Sequence, residues 1–359
     1  MTGLDLIQCP VCHEPAPSAA KFCEACGTEL TGVAPLARPV GSPSPAGPSL
    51  VCVACGEAAV TDDGYCGSCG HKQPGPRDHL EMAAGVAVAI TDRGVRHHDN
   101  EDAVAIGELP GGGAVIVVCD GVSSTPGSAQ ASQAAADAAR DLLVEHLGTG
   151  PLDGVPFEPG RVDDALVAAA ALAQERAAAV PPPDVSESPF HGGPPSSTFV
   201  AAVARLVNGE AQLDVAWVGD SRAYWLVGGE AVRLTEDHEL GGSLSRWLGA
   251  DSIDPTPEIT RLVATAPGRL LVCSDGLWRY AEPAPAMADL VARFETEVAS
   301  RRDLAAALVD HAIAGGGHDN ITVALWSSAE ALIEGPAAMV SAARETATTG
   351  QMIGGSEQA

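Results

Sequence analysis

The chain has 359 residues, 46% of them hydrophobic, enough for one large globular domain accompanied by small modules. Lys and Arg number 20 against 47 Asp and Glu, for a formal charge of −27, and residues 1–80 are themselves net acidic. The chain therefore lacks the basic footprint of a nucleic-acid binder. No apolar run reaches the length of a membrane span, and the opening MTGLDLIQCP has neither the basic flank nor the apolar stretch of a signal peptide. A cytoplasmic protein is expected, with no nucleic acid and no membrane among its partners.

From the N-terminus, two units share one cysteine spacing. Cys9 and Cys12 are followed after ten residues by Cys23 and Cys26, and Cys52 and Cys55 likewise by Cys66 and Cys69. Phe22 and Tyr65 precede the third cysteine of each unit, and Gly27 and Gly70 follow the fourth. In a reducing compartment paired CxxC turns point to metal more than to disulfides. Four thiolates close one tetrahedral zinc site, and the metal supplies folding energy that so short a module cannot draw from a core. Two structural zinc ions are expected. His13 and His71, beside these turns, are read as solvated.

Pro, Gly and Ser dominate the segment between the two units. The expected organisation is a zinc ribbon over 1–32, a linker over 33–50, a second ribbon over 51–72, a short linker over 73–81, a large domain over 82–330 and a poorly ordered tail over 331–359. In the large domain, strand-like runs fall at 85–90, 103–106, 114–119, 198–206, 212–218, 223–227, 269–273 and 321–326. Several are apolar on both faces, as buried strands are. Helical periodicity covers 128–147, 162–179 and 302–314. Strand clusters alternating with helices predict an α+β fold whose helices cover a sheet core.

Acidic residues sit where these strands end or begin. Asp120-Gly121 follows VVC, Asp220 follows WVG, Asp275-Gly276 follows LLVCS, Asp319-Asn320 precedes ITVALW, and Glu101-Asp102 precedes AVAI. One Asp-Gly after a strand is a turn. Several carboxylates leaving one sheet core form a set of hard oxygen ligands suited to Mn²⁺ or Mg²⁺.

The ordered motifs RGVRHHDNEDA, VVCDGVSS, SSTFVAA, VGDSRAY, LLVCSDGLW and GGHDNITV resemble the type 2C metal-dependent serine/threonine protein phosphatase family, from about Met82 to Trp326. The cysteine units resemble the bacterial double zinc ribbon. The resemblance implies a four-layer αββα sandwich, two antiparallel sheets flanked by helices, preceded by two small four-cysteine zinc-ribbon modules. It also implies hydrolysis of phosphoserine and phosphothreonine in phosphorylated proteins, themselves the products of a cytoplasmic protein kinase. Two Mn²⁺ or Mg²⁺ ions would serve it, with a weak third, and the ribbons would target or regulate it. By resemblance Asp120 bridges both ions, the Gly121 carbonyl binds the first, and Asp275 and Asp319 bind the second. Glu101 and Asp102 hold water bound to the ions, and Asp220 reaches the third site.

The chain departs from the family in three places. Where the family has a phosphate-clamping arginine stands His97, with Arg96 one residue earlier, so Arg96, His97 or neither makes that contact. No histidine follows Asp120-Gly121, leaving Ser123 and Ser124. Arg279 replaces an aspartate found in some relatives, read either as a surface salt bridge or as a grip on phosphate. A catalytically weak or inactive phosphoprotein-binding adaptor on the same scaffold is the alternative reading.

Overall fold

Strands whose two faces are both apolar must be covered on both sides, and the computed structural model does this with four layers. It describes residues 6–8, 15–17, 51–52, 54–61, 64–70, 73–123, 125–148, 159–181 and 193–328. Cys9, Cys12, Cys23 and Cys26, the segment 33–50, Ser124 and the tail 331–359 lie outside the described residues. The chain divides into two compact units, Met1–Gln73 and Pro74–Ala359.

In the larger unit the strands of the two main sheets are β1 (His79–Ala84), β2 (Ala87–Asp92), β3 (Ala103–Leu109), β4 (Gly113–Cys119), β5 (Phe199–Val207), β6 (Glu210–Val218), β7 (Arg222–Val227), β8 (Glu230–Arg233), β9 (Glu258–Ala264), β10 (Arg269–Cys273) and β11 (Ile321–Ser327). The helices are α1 (Ser128–Leu147), α2 (Pro159–Ala178), α3 (Asp275–Trp278), α4 (Ala284–Glu295) and α5 (Arg301–Ala314). One sheet runs β8-β7-β10-β11-β2-β1 and the other β9-β6-β5-β4-β3, and every pairing is antiparallel.

Strand alternation sorts each side chain to a layer. Ile116 and Val118 of β4 face the other sheet, meeting Trp225, Val272 and Trp326. Val115 and Val117 face outward onto Ala135, Ala139 and Leu143 of α1 and Leu166 of α2. Across the molecule, Leu271, Val323 and Leu325 pack on Met287, Val291, Leu304 and Leu308 of α4 and α5. Among the described residues no helix is long and apolar enough to cross a membrane.

The register decides where the acidic residues go. Ala103 pairs with Cys119, so Asp102 and Asp120 lie side by side at one end of their sheet. Cys273 pairs with both Val323 and Arg222, which brings Asp275, Asp319 and Asp220 to the corresponding end of the other sheet.

Candidate metal centre

Two glycines bring the acidic loops into contact. A methyl group on Gly121 would lie 2.6 Å from the Glu101 carbonyl oxygen, and one on Gly276 would lie 1.9 Å from the Asn320 carbonyl oxygen. Each Asp-Gly step is thus a close approach between two acid-bearing segments, which only a residue without Cβ permits.

Neutral polar groups lock these loops. The Asn320 side chain accepts from Glu101 N at 2.8 Å and donates to the carbonyls of Arg93 and Asp99 at 2.9 and 3.0 Å. Buried Asp102 accepts at Oδ2 from Ser274 and Thr322, both at 2.7 Å. Thr198 Oγ1 accepts from Asp120 N at 2.9 Å, while Thr198 N donates to Asp120 O at 2.8 Å. Trp278 Nε1 donates to the Asp220 carbonyl at 3.0 Å, and the Arg222 guanidinium stacks 3.5 Å from the Trp278 ring.

The carboxylates crowd one another. Burial, then repulsion from Asp102, Asp275, Asp220 and Asp319, holds Asp120 well above the usual carboxylate range. Burial likewise pushes Asp102 up to about 7 despite its two hydroxyl donors. Asp220 rises to about 7, through burial and then the charges of Asp275 and Asp237. Burial and Asp319 raise Asp275, although Arg279 opposes them, and burial raises Glu101. Asp275 Oδ2 accepts from Arg279 Nε at 2.7 Å, but its buried Oδ1 has no hydrogen-bond partner among the described residues. A buried carboxylate oxygen without a hydrogen-bond partner, set among crowded carboxylates, is the kind of hard oxygen donor that suits a divalent cation.

Residues 93–311 match the protein phosphatase 2C family. The chain belongs to that family. The serine/threonine phosphatase stp of Listeria welshimeri is 27% identical over 259 residues, which cover 66% of this chain and 92% of that one. The serine/threonine protein phosphatase PstP of Mycobacterium tuberculosis is 32% identical over 132 residues, 31% of this chain and 24% of PstP. The crystal structure of Stp1 from Staphylococcus aureus shares the fold, with a TM-score of 0.52 at 21% identity over 73% of this chain and all of that one.

Within this phosphatase 2C domain, Asp102, Asp120, Asp220, Asp275, Asp319 and Glu101 gather at one end of the sandwich. His97 stands with Nε2 3.2 Å from Asp319 Oδ1. Arg96 is exposed and forms no ion pair among the described residues. Arg93 is taken by Asp78, at 3.0 Å, and by the His97 carbonyl. The sequence reading assigned no role to Ser274, Thr322, Asn320 or Thr198. Their signal was present, since each is a polar residue at the end of an otherwise apolar strand.

In the smaller unit, residues 9–70 match the double zinc ribbon family. The Sγ atoms of Cys52, Cys55, Cys66 and Cys69 all lie within 4.8 Å of one another. Cys52 to Cys69 and Cys55 to Cys66 are each 3.7 Å, against about 3.8 Å between sulfurs placed tetrahedrally about 2.3 Å from one zinc ion. Burial raises the Cys52 thiol, but the N–H groups of Cys55 and Ala54 outweigh it and bring it down to about 6. At Cys55 the Glu57 backbone N–H lowers the thiol, but Cys69, burial, Cys52 and Cys66 outweigh it and push it up to about 12, so the crowded sulfurs favour one thiolate at a neighbour's expense.

Proposed function

We propose that this chain is a metal-dependent protein-serine/threonine phosphatase, which hydrolyses phosphoserine and phosphothreonine in proteins phosphorylated by a protein kinase. The observation that carries the reading is the crowded carboxylate cluster with its unpartnered, buried Asp275 Oδ1. Asp120, Asp275, Asp319 and the Gly121 carbonyl would hold two Mn²⁺ or Mg²⁺ ions, and Asp220 would border them. Bound there, such ions lower the pKa of water and neutralise charge developing at phosphorus during in-line displacement.

The chain's own residues supply position. Asn320 fixes Glu101 through its backbone N–H. Ser274 and Thr322 orient Asp102 behind the other carboxylates. Glu101, with burial raising its proton affinity, is suited to hold a proton at the edge of the cluster. His97 stands beside Asp319, and Arg96 is exposed. Cys52, Cys55, Cys66 and Cys69 would hold one structural zinc and Cys9, Cys12, Cys23 and Cys26 a second, in ribbons that target or regulate the enzyme.

Hydrolysis of p-nitrophenyl phosphate and of a phosphothreonine peptide, with and without Mn²⁺, tests this. Turnover is expected only with metal, and Asp275→Ala, Asp120→Asn and Asp319→Asn should each lower it by at least about 100-fold, the scale of losing one group that stabilises the transition state, with the fold retained. Absence of turnover by folded, metal-loaded protein would overturn the reading in favour of a phosphoprotein-binding adaptor.

A further inference from the structure

Arg279 occupies an unusual place for a mostly exposed cation. Its backbone N–H bonds to the Asp275 carbonyl at 3.1 Å, one turn along α3, and its Nε donates to Asp275 Oδ2 at 2.7 Å. Asp275 is 10% exposed at the side chain while Arg279 is 61% exposed. The guanidinium also lies in the field of Asp220 and Asp319, and its Cζ is 5.3 Å from the Trp278 ring. Arg279 is therefore a tethered cation reaching from solvent into the carboxylate cluster.

The other basic groups nearby are otherwise engaged or stand apart. Arg222 is buried, makes two bonds to Asp237 at 3.0 and 2.6 Å and another to the Glu282 carbonyl, and stacks on Trp278 of α3. Arg93 is paired with Asp78, and His97 faces Asp319. Arg96 is exposed and has no ion pair among the described residues.

A divalent ion on Asp275 would compete with Arg279 for the same carboxylate and repel the guanidinium. Only side-chain rotation is needed to release it, since the backbone tether lies at the far end of the side chain. A phosphate dianion entering the metal-loaded cluster meets a planar fork of donors that suits its oxygens and that has just lost its partner. We infer that Arg279 is a substrate-positioning residue that neutralises Asp275 in the metal-free protein and passes to the substrate phosphate when metal binds. The inference rests on the phosphatase reading for its substrate, but it makes its own prediction about binding.

The signature is opposite changes in two affinities. In Arg279→Gln, Mn²⁺ should bind about 2- to 5-fold tighter, as expected when a competing, partly exposed ion pair is removed. Inorganic phosphate should bind the Mn²⁺-loaded variant roughly 10-fold more weakly, the scale of a charged hydrogen bond. Arg279→Lys keeps the charge without the fork, and should leave Mn²⁺ affinity near wild type and phosphate affinity between the other two proteins. Titration calorimetry of the full chain measures both affinities, with thermal melts to confirm folding. No phosphate binding by the wild type, unchanged phosphate affinity in Arg279→Gln, or weakening of both ligands together would each overturn the inference. Wild type that binds phosphate through Arg279 yet fails to turn over p-nitrophenyl phosphate would sink the hydrolase reading and leave the handover standing.

Discussion

Gly276 follows Asp275 directly, and a methyl group on it would press on the Asn320 carbonyl, a backbone atom flanked by Asp319 and Ile321. Neither partner can give way without moving an acidic loop, because Asn320 is fastened through its side chain to Glu101, Arg93 and Asp99. Gly276→Ala should therefore destabilise the larger unit at the upper end of the roughly 1–3 kcal/mol typical of overpacking, and abolish whatever turnover the wild type shows. A denaturant melt checks the first, and a near-wild-type midpoint would contradict the close approach. At this scale the sequence located the acids, because Asp-Gly and Asn-Glu-Asp at strand ends are visible as local patterns. It did not disclose that Ser274 and Thr322 share one carboxylate oxygen of Asp102. The two lie 48 residues apart and are joined by a hydrogen bond from Thr322 N to Ser274 Oγ, a relation that only strand pairing creates.

The edge pairing of β1 with β2 carries a pH-sensitive contact. The register sets His79 opposite Asp92, with Glu81 two residues on along the same face. His79 Nδ1 lies 2.7 Å from Asp92 Oδ2 and its Nε2 lies 3.4 Å from Glu81, which Arg302 also engages. Burial alone would lower the imidazole pKa, but hydrogen bonds to Asp92 and Glu81 outweigh it and hold it above 6.5. A raised folded-state pKa contributes stability that is fully present below the unfolded value and lost as pH rises through the folded one. The stability difference between wild type and His79→Gln should thus be largest below pH 6.5 and vanish above the raised value. Its size should be on the order of 0.5 kcal/mol, as solvent screens so exposed a contact. A difference independent of pH in paired melts would refute it. Strand β1 falls across the expected linker over 73–81 and was not anticipated: His79-Leu80-Glu81-Met82 does alternate polar with apolar, but the run is too short, close behind Gly75 and Pro76, to stand out as a strand. Edge strand β9 and helix α4 were missed too. Half-buried β9 is broken by Arg261, which pairs with Asp214 across the sheet and with Asp163 of α2, and α4 is masked by Pro283 and Pro285 at its start. The doubly buried strands were legible as short continuous apolar runs, and α1 by its helical periodicity.

The two compact units draw stability from different sources. The larger has three apolar clusters between four layers, which is ample burial for a unit of its length. In the smaller, Cys52 and Cys66 are buried whereas Val51 and Tyr65 are exposed. Its described contacts are short backbone bonds such as Cys52 N to Glu57 O at 2.9 Å and Thr61 N to Tyr65 O at 2.8 Å, gathered around four sulfurs. Structural zinc in such modules supplies on the order of 10 kcal/mol of folding free energy, more than so small a core can replace. Removing zinc from the full chain with a thiol-directed reagent or a zinc-selective chelator, then restoring Mn²⁺, should separate the two. Protection from proteolysis should be lost within 51–73, while the melting transition of the larger unit and its metal-dependent turnover should stay within about twofold of the untreated chain, because that unit has apolar clusters of its own and its strand pairing places the acidic residues. Retained protection of 51–73 after complete zinc removal would show that the ribbon folds without metal. Collapse of the melting transition would show that the catalytic sandwich depends on the cysteine unit for its fold.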